Sequence, residues 1–233
     1  VTRPIRRREG LAAVVAAAGF VLGAATPAAA QQGAITLLED LASALRERPV
    51  WTAPYHQEFV PAGMTVGEQV EGEVWVAWPD RAHFRSGSPT VRMMGLDGRL
   101  VRLVDLDLPS CEEHQLDDDE WARIPLAAVL DPQSAVDRFT VLERGDRGFA
   151  LAPRRPGGVT RVEVVLRPDN LPLEVVVVDP QGATNRLEFG VWTALAQPPQ
   201  GGWLPPAPAG VECSGVGAAV GGSDGDDRGR LRR

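Results

Sequence analysis

The sequence predicts an α+β protein dominated by antiparallel β-structure and built on one strongly curved sheet, and three observations carry that prediction. Glycine (25) and proline (20) together approach a fifth of the 233 residues, a balance that suits many short strands and turns. About ten segments alternate apolar and polar residues with a period of two between turn-forming residues. Helical periodicity appears only once strongly and once weakly, too little helix to coat a flat sheet of that size. The sheet must therefore pack against itself or against a ligand, with the helices covering an opening.

The elements follow in chain order. Arg3, Arg6, Arg7 and Arg8 precede an apolar run over 11–25, and Pro27-Ala28-Ala29-Ala30 closes the segment. A basic region, an apolar stretch and small residues read as a secretory leader over 1–30, cut after Ala30. The alternative, a retained anchor, needs roughly 20 apolar residues where about 15 stand. Ile35, Leu38, Leu41, Ala42 and Leu45 then fall at helical spacing, and Pro49 stops that helix. Strands are expected over 52–60, 69–78, 82–85, 90–94 and 99–105, separated by turns such as Pro79-Asp80 and Asp97-Gly98. The stretch 108–137 is polar and acidic, with weak helical patterns over 125–130 and 133–138. Strands resume over 139–143, 148–152, 159–166, 173–179 and 183–192. A single domain is thus expected over 31–213, followed by a disordered Gly/Asp/Arg tail over 214–233.

Composition excludes several classes of function. The chain carries 24 basic residues, every one of them arginine, which rules out a G-K-[ST] phosphate loop, a Schiff-base lysine and a Ser-Lys dyad. Its formal charge of −7 becomes −10 without the leader, and no basic stripe crosses the body of the chain, so nucleic acid is not an expected partner. No cysteine stands at the cleavage position, which leaves no site there for lipidation, and the mature protein is expected to be soluble in an exported compartment.

Catalytic residue types are sparse. His56, His83 and His114 are the three histidines, none in an H-E-x-x-H pattern, and no G-x-S-x-G elbow occurs. The best metal candidate, Cys111-Glu112-Glu113-His114 with Asp117–Asp119, mixes soft and hard ligands in one loop without a second Cys/His pair, so neither a metal nor a cofactor is expected. Cys111 and Cys213 are the two cysteines. In an oxidising compartment they either form one disulfide or remain two free thiols.

The segment Gly72-Glu73-Val74-Trp75-Val76-Ala77-Trp78-Pro79-Asp80-Arg81, followed by an aromatic strand, the turn residue Pro89 and the Asp97-Gly98 hairpin, resembles the periplasmic outer-membrane lipoprotein carriers, the LolA-like family. His56-Gln57-Glu58-Phe59 is similar to that family's first strand, and Ile124-Pro125-Leu126 to the start of its lid helices. Its late hairpin is matched by Asp179-Pro180-Gln181-Gly182-Ala183-Thr184, and its terminal motif by Pro205-Pro206 with Ala209-Gly210-Val211. The resemblance implies an open, unclosed β-barrel of ten or eleven strands with a helical lid around an apolar cavity. It further implies a monomeric, non-enzymatic carrier that shuttles lipoprotein acyl chains from an inner-membrane lipoprotein-releasing transporter to an outer-membrane acceptor. The runner-up is a lipid- or glycolipid-binding sensor or carrier on the same fold, and a third reading is an exported hydrolase using His114.

Strand alternation and the resemblance together nominate the cavity wall. Val74, Val76 and Trp78 share one strand face, taken as inward; Phe84 and Met94 join them, as do Val175 and Val177 from a strand apolar on both faces. The lid residues are Ile124, Pro125, Leu126, Val129 and Leu130. One position departs from the family pattern: Trp78 stands where a basic residue usually contacts the lid. A polar latch would then be lost, moved to Arg81 or Arg85, or replaced by an apolar contact.

Overall fold

The computed structural model describes residues 27–87, 90–121 and 132–216. Thirteen strands form one sheet in the spatial order β13 (Ser214–Val216), β6 (Ser110–Gln115), β5 (Leu100–Asp105), β4 (Arg92–Asp97), β3 (Arg81–Ser86), β2 (Glu68–Ala77), β1 (Val50–Val60), β11 (Thr184–Phe189), β10 (Pro172–Val178), β9 (Arg161–Leu166), β8 (Gly148–Pro153) and β7 (Phe139–Glu143), with β12 (Thr193–Leu195) beside β1. Every pairing is antiparallel except β13 with β6. The ends of that order, β13 and β7, do not pair with each other, so the sheet is not closed.

Helix α1 (Pro27–Arg46) precedes the sheet. Ala34, Leu38, Leu41 and Leu45 recur at helical spacing and are buried, so the periodicity read in the sequence is the stripe that packs on the sheet. Its last turn carries Arg46, a favourable charge at a helix C-terminus, and the Ala44 carbonyl accepts from both the Glu47 N–H and Trp51 Nε1 at 3.2 Å. The helix lies over β7 (Phe139–Glu143) and β8 (Gly148–Pro153) and against α3 (Pro132–Arg138). There it covers Phe139, Val141, Phe149, Leu151, Val162 and Val164, the last two from β9 (Arg161–Leu166).

The other half of the same sheet face comprises β1 (Val50–Val60), β2 (Glu68–Ala77), β3 (Arg81–Ser86), β4 (Arg92–Asp97), β5 (Leu100–Asp105) and β6 (Ser110–Gln115). On its far side β1 pairs with β11 (Thr184–Phe189), which pairs with β10 (Pro172–Val178). A second, smaller core of Val50, Trp75, Ala77 and Trp203 sits on the opposite face, where the chain after β12 (Thr193–Leu195) returns across β2–β5 as a strap. Strand β4 admits that strap because Gly95 has no side chain: a Cβ there would stand 2.3 Å from the Trp203 carbonyl oxygen. His83 Nδ1 lies 2.9 Å from the same oxygen, and Arg85 and Arg102 donate to the carbonyls of Gln200 and Pro205.

Several expectations are corrected. Thirteen strands replace ten or eleven, because the acidic stretch after 108 is partly a strand, not a loop: β6 pairs with β5, and Arg102 supplies the charge that Glu113 needs at 2.7 Å. Period two was hidden there because that strand is polar on both faces. The expected tail begins with structure as well, since β13 (Ser214–Val216) lies parallel to β6 beside the Cys111–Cys213 disulfide. The cystine tethers three residues that carry no strand pattern of their own. Of the acidic stretch, Asp118–Trp121 forms a short helix, α2, opened by a capping box in which Asp117 accepts from the Glu120 N–H and Glu120 from the Asp117 N–H.

Candidate functional site: an apolar cavity on the helix side of the sheet

Where α1 stops covering the sheet, a cavity of about 670 Å³ opens, within the range of ligand sites. Its wall follows from pairing register. Partners across an antiparallel sheet share a face. Ala53, Val74, Phe84, Met94, Leu103 and Glu112 are successive partners across β1–β6, and all but Ala53 line the cavity. From the other side, Leu187 pairs with Val175 and Asn185 with Val177, and all four line it too. Phe189 and Trp192, 5.3 Å between ring centroids, close the wall beside β1.

The structure therefore brings together Val74, Val76, Phe84, Met94, Val175 and Val177, six of the seven residues nominated from the sequence. Trp78 is the exception. Strand β2 ends at Ala77, so Trp78 enters the Trp78–Pro79 turn instead of continuing the alternation. Its indole packs at the edge of the main core beneath the Arg46 guanidinium, 4.3 Å from the ring centroid. The cation over its ring thus comes from α1. Lid residues Ile124, Pro125, Leu126, Val129 and Leu130 lie outside the described residues. The flanks of that insertion are described: Leu116 and Trp121 before it and Ala135 after it are all buried in the core on the cavity side.

Besides Glu112 in the apolar row, polar groups line the cavity along the next rows of the pleat. Tyr55 is buried, with its ring edge against Phe84 at 5.7 Å, and burial pushes its phenol pKa up while a bond with Ser86 opposes that shift. Gly72 permits this position, since a Cβ there would lie 2.6 Å from the Tyr55 ring. Beyond them, Arg92 Nε donates to Asp105 at 3.2 Å. Asp105 also accepts from the Asp107 and Leu108 N–H groups, and these bonds, the Leu108 one foremost, hold its pKa below the ordinary value. Gln57 donates to Asn185 at 3.0 Å. Tyr55, Ser86, Arg92 and Asp105 were not singled out in the sequence; the signal that could have found them is their position two residues along from Ala53, Phe84, Met94 and Leu103 in the same pleat.

The metal candidate is dispersed. Cys111 is bonded to Cys213, with Cα atoms 4.4 Å apart, which settles the pairing the sequence left open. Glu113 is taken by Arg102, and His114 Nε2 stands 2.9 Å from Glu120. Among the described residues no group of three or more His, Cys, Asp or Glu side chains is arranged to hold a metal ion.

An unclosed antiparallel sheet, covered by a helix over half of one face and hollowed by an apolar cavity over the other half, is the class of structure these features define. The chain belongs to the LolA family: the family model described as outer membrane lipoprotein carrier protein LolA matches residues 49–201. No curated protein matches the chain. Among solved structures, it resembles a chain of the Pseudomonas aeruginosa MucA/MucB complex at 19% identity and a TM-score of 0.43, covering 72% of this chain and 59% of that one. A putative outer membrane lipoprotein-sorting protein domain from Vibrio parahaemolyticus matches at 8% identity and a TM-score of 0.41, covering 72% and 94%. A LolA superfamily protein from Nitrosomonas europaea matches at 10% identity and a TM-score of 0.39, covering 71% and 94%.

Proposed function

We propose that this protein is a periplasmic, non-enzymatic carrier that holds the acyl chains of lipoproteins in the cavity and moves them from an inner-membrane lipoprotein-releasing transporter to an outer-membrane acceptor, acting as a monomer without a cofactor. In this reading the sheet works as an open barrel, and the segment between Trp121 and Pro132 is its lid, anchored at both flanks in the core on the cavity side. The observation that carries the reading is the cavity wall itself: in-register rows of Val, Leu, Met and Phe from six strands facing one space of about 670 Å³. Each buried methylene contributes about 0.8 kcal/mol, and a bilayer offers nearly the same. A carrier therefore needs only near-equality with its donor and acceptor, which a non-directional apolar wall supplies and catalytic residues would not improve.

The test is Val76→Glu. An unpaired carboxylate in the filled cavity is costly, whereas water in the open cavity solvates it. The variant should fold, stay soluble and lose co-purifying lipid by mass spectrometry; full lipid content in the folded variant would show that this wall is not the site. A second reading, a lipid- or glycolipid-binding sensor or carrier on the same fold, draws support from Trp78, which Arg46 commits to α1 where the family pattern has a lid contact. Lipid binding without lipoprotein delivery to outer-membrane vesicles would favour it.

A further inference from the structure

The polar end of the cavity is a single row across the sheet. Tyr55, Ser86, Arg92, Asp105 and Ser110 are successive partners, with Gly72 between the first two, and all five line the cavity. At about 4.8 Å per strand the row spans roughly 24 Å, long enough to run beside the whole head of an amphiphile whose chains lie in the apolar part. We propose that this row selects the ligand's head group, favouring an uncharged head that carries hydroxyl donors over an anionic phosphorylated one; the proposal rests on the acyl-chain reading of the cavity above.

Two features carry it. The first is charge. Arg92 is the basic residue lining the cavity among the described residues, and it is already held by Asp105 at 3.2 Å and approached by Glu68 at 3.9 Å. Glu112, one row further in on β6, adds another carboxylate. One guanidinium is thus paired with two carboxylates while a third stands in the wall, so among the described residues negative charge is in excess and a phosphate entering the mouth meets like charge. The second is hydrogen-bonding polarity. The Arg92 carbonyl can only accept, so Ser86 Oγ donates to it at 3.3 Å. That proton is thus spent within the row, and what Ser86 and the carboxylates offer a ligand is lone pairs. Ligand hydroxyls complement them; ionised phosphate oxygens, acceptors only, do not.

The experiment uses the uncharged dye N-phenyl-1-naphthylamine, whose fluorescence rises in apolar surroundings, as the cavity probe, displaced by dioctanoylglycerol or by dioctanoyl phosphatidic acid of matched chain length. The neutral lipid should displace the dye at about tenfold lower concentration at low salt, and the ratio should shrink as salt screens the rim, a dependence that a purely steric preference lacks. The exposed pair Glu68→Gln with Glu112→Gln should reduce the ratio to about twofold. Equal displacement by the two lipids, or stronger displacement by the anionic one, overturns the head-group proposal and leaves the carrier reading standing. Dye displaced by neither lipid overturns both.

Discussion

Gly95→Ala tests the contact that seals the outer face of the sheet behind the cavity. The added Cβ would stand 2.3 Å from the Trp203 carbonyl oxygen and 2.5 Å from Pro205 Cδ. An ordinary C···O approach is about 3.3–3.6 Å, so the strap must withdraw by about 1 Å. His83 to Trp203 and Arg102 to Pro205 are both 2.9 Å in the structure, and that withdrawal carries them beyond hydrogen-bonding distance. One neutral and one charge-assisted bond are worth about 2–4 kcal/mol together. For a domain of this size that lowers Tm by roughly 4–16 °C, measured by circular dichroism. Hydrogen exchange should show the amides of 200–206 losing protection first. Uptake of an apolar dye at 25 °C should be unchanged, because the cavity lies on the other face. Gly158→Ala, where a Cβ meets nothing within 4 Å, is the control and should be close to neutral. An unchanged Tm for Gly95→Ala with equal protection of 200–206 would refute the close packing of the strap and the reasoning built on it.

Three further outcomes are expected. Trp78→Ala removes a half-buried indole and its cation contact and should cost about 2–3 kcal/mol in urea denaturation, against about 0.5–1 for Arg46→Ala, with dye affinity unchanged within twofold; lost affinity at full stability would place Trp78 on the ligand's path. Cys111→Ser with Cys213→Ser opens a loop of 102 residues and should lower stability by about 4–5 kcal/mol in the chain-entropy model, an effect that reductant reproduces in the parent and does not add to in the variant. Burial, with Arg85 nearby, lowers the His83 pKa, so the unfolded chain binds a proton that the folded one refuses; stability should fall as pH drops below about 6.5. His83→Gln should remove that part of the slope between pH 7 and 5, and an identical pH profile in parent and variant would show that His83 is not the group responsible.

What could be read locally was read from the chain. The amphipathic stripe of α1, most strands and the two faces of β2 are legible, because alternation and helical spacing are properties of neighbouring residues and survive whatever the strands pair with. Six cavity residues followed from alternation together with the family resemblance, which chose the inward face. Trp78 was misplaced because the pleat ends one residue earlier than the apolar pattern does, at the turn into Pro79. The strand character of 110–115 is invisible in an acidic stretch until β5 is beside it with Arg102.

The amino-acid sequence by itself determined the class of fold, the exclusion of phosphate-loop and lysine chemistry, and the apolar character of the inner face, since each depends on composition or on spacing within one segment. Only the tertiary structure decided which half of that face stays uncovered, because the length and position of α1 against β7 and β8 set the edge of the cavity. The tertiary structure also made one row of Tyr55, Ser86, Arg92, Asp105 and Ser110, residues up to 55 positions apart whose meeting depends on the register of five strand pairings. Gly95 and Trp203 belong with these: the need for a missing side chain at one position exists only because a carbonyl from more than a hundred residues later arrives on top of it.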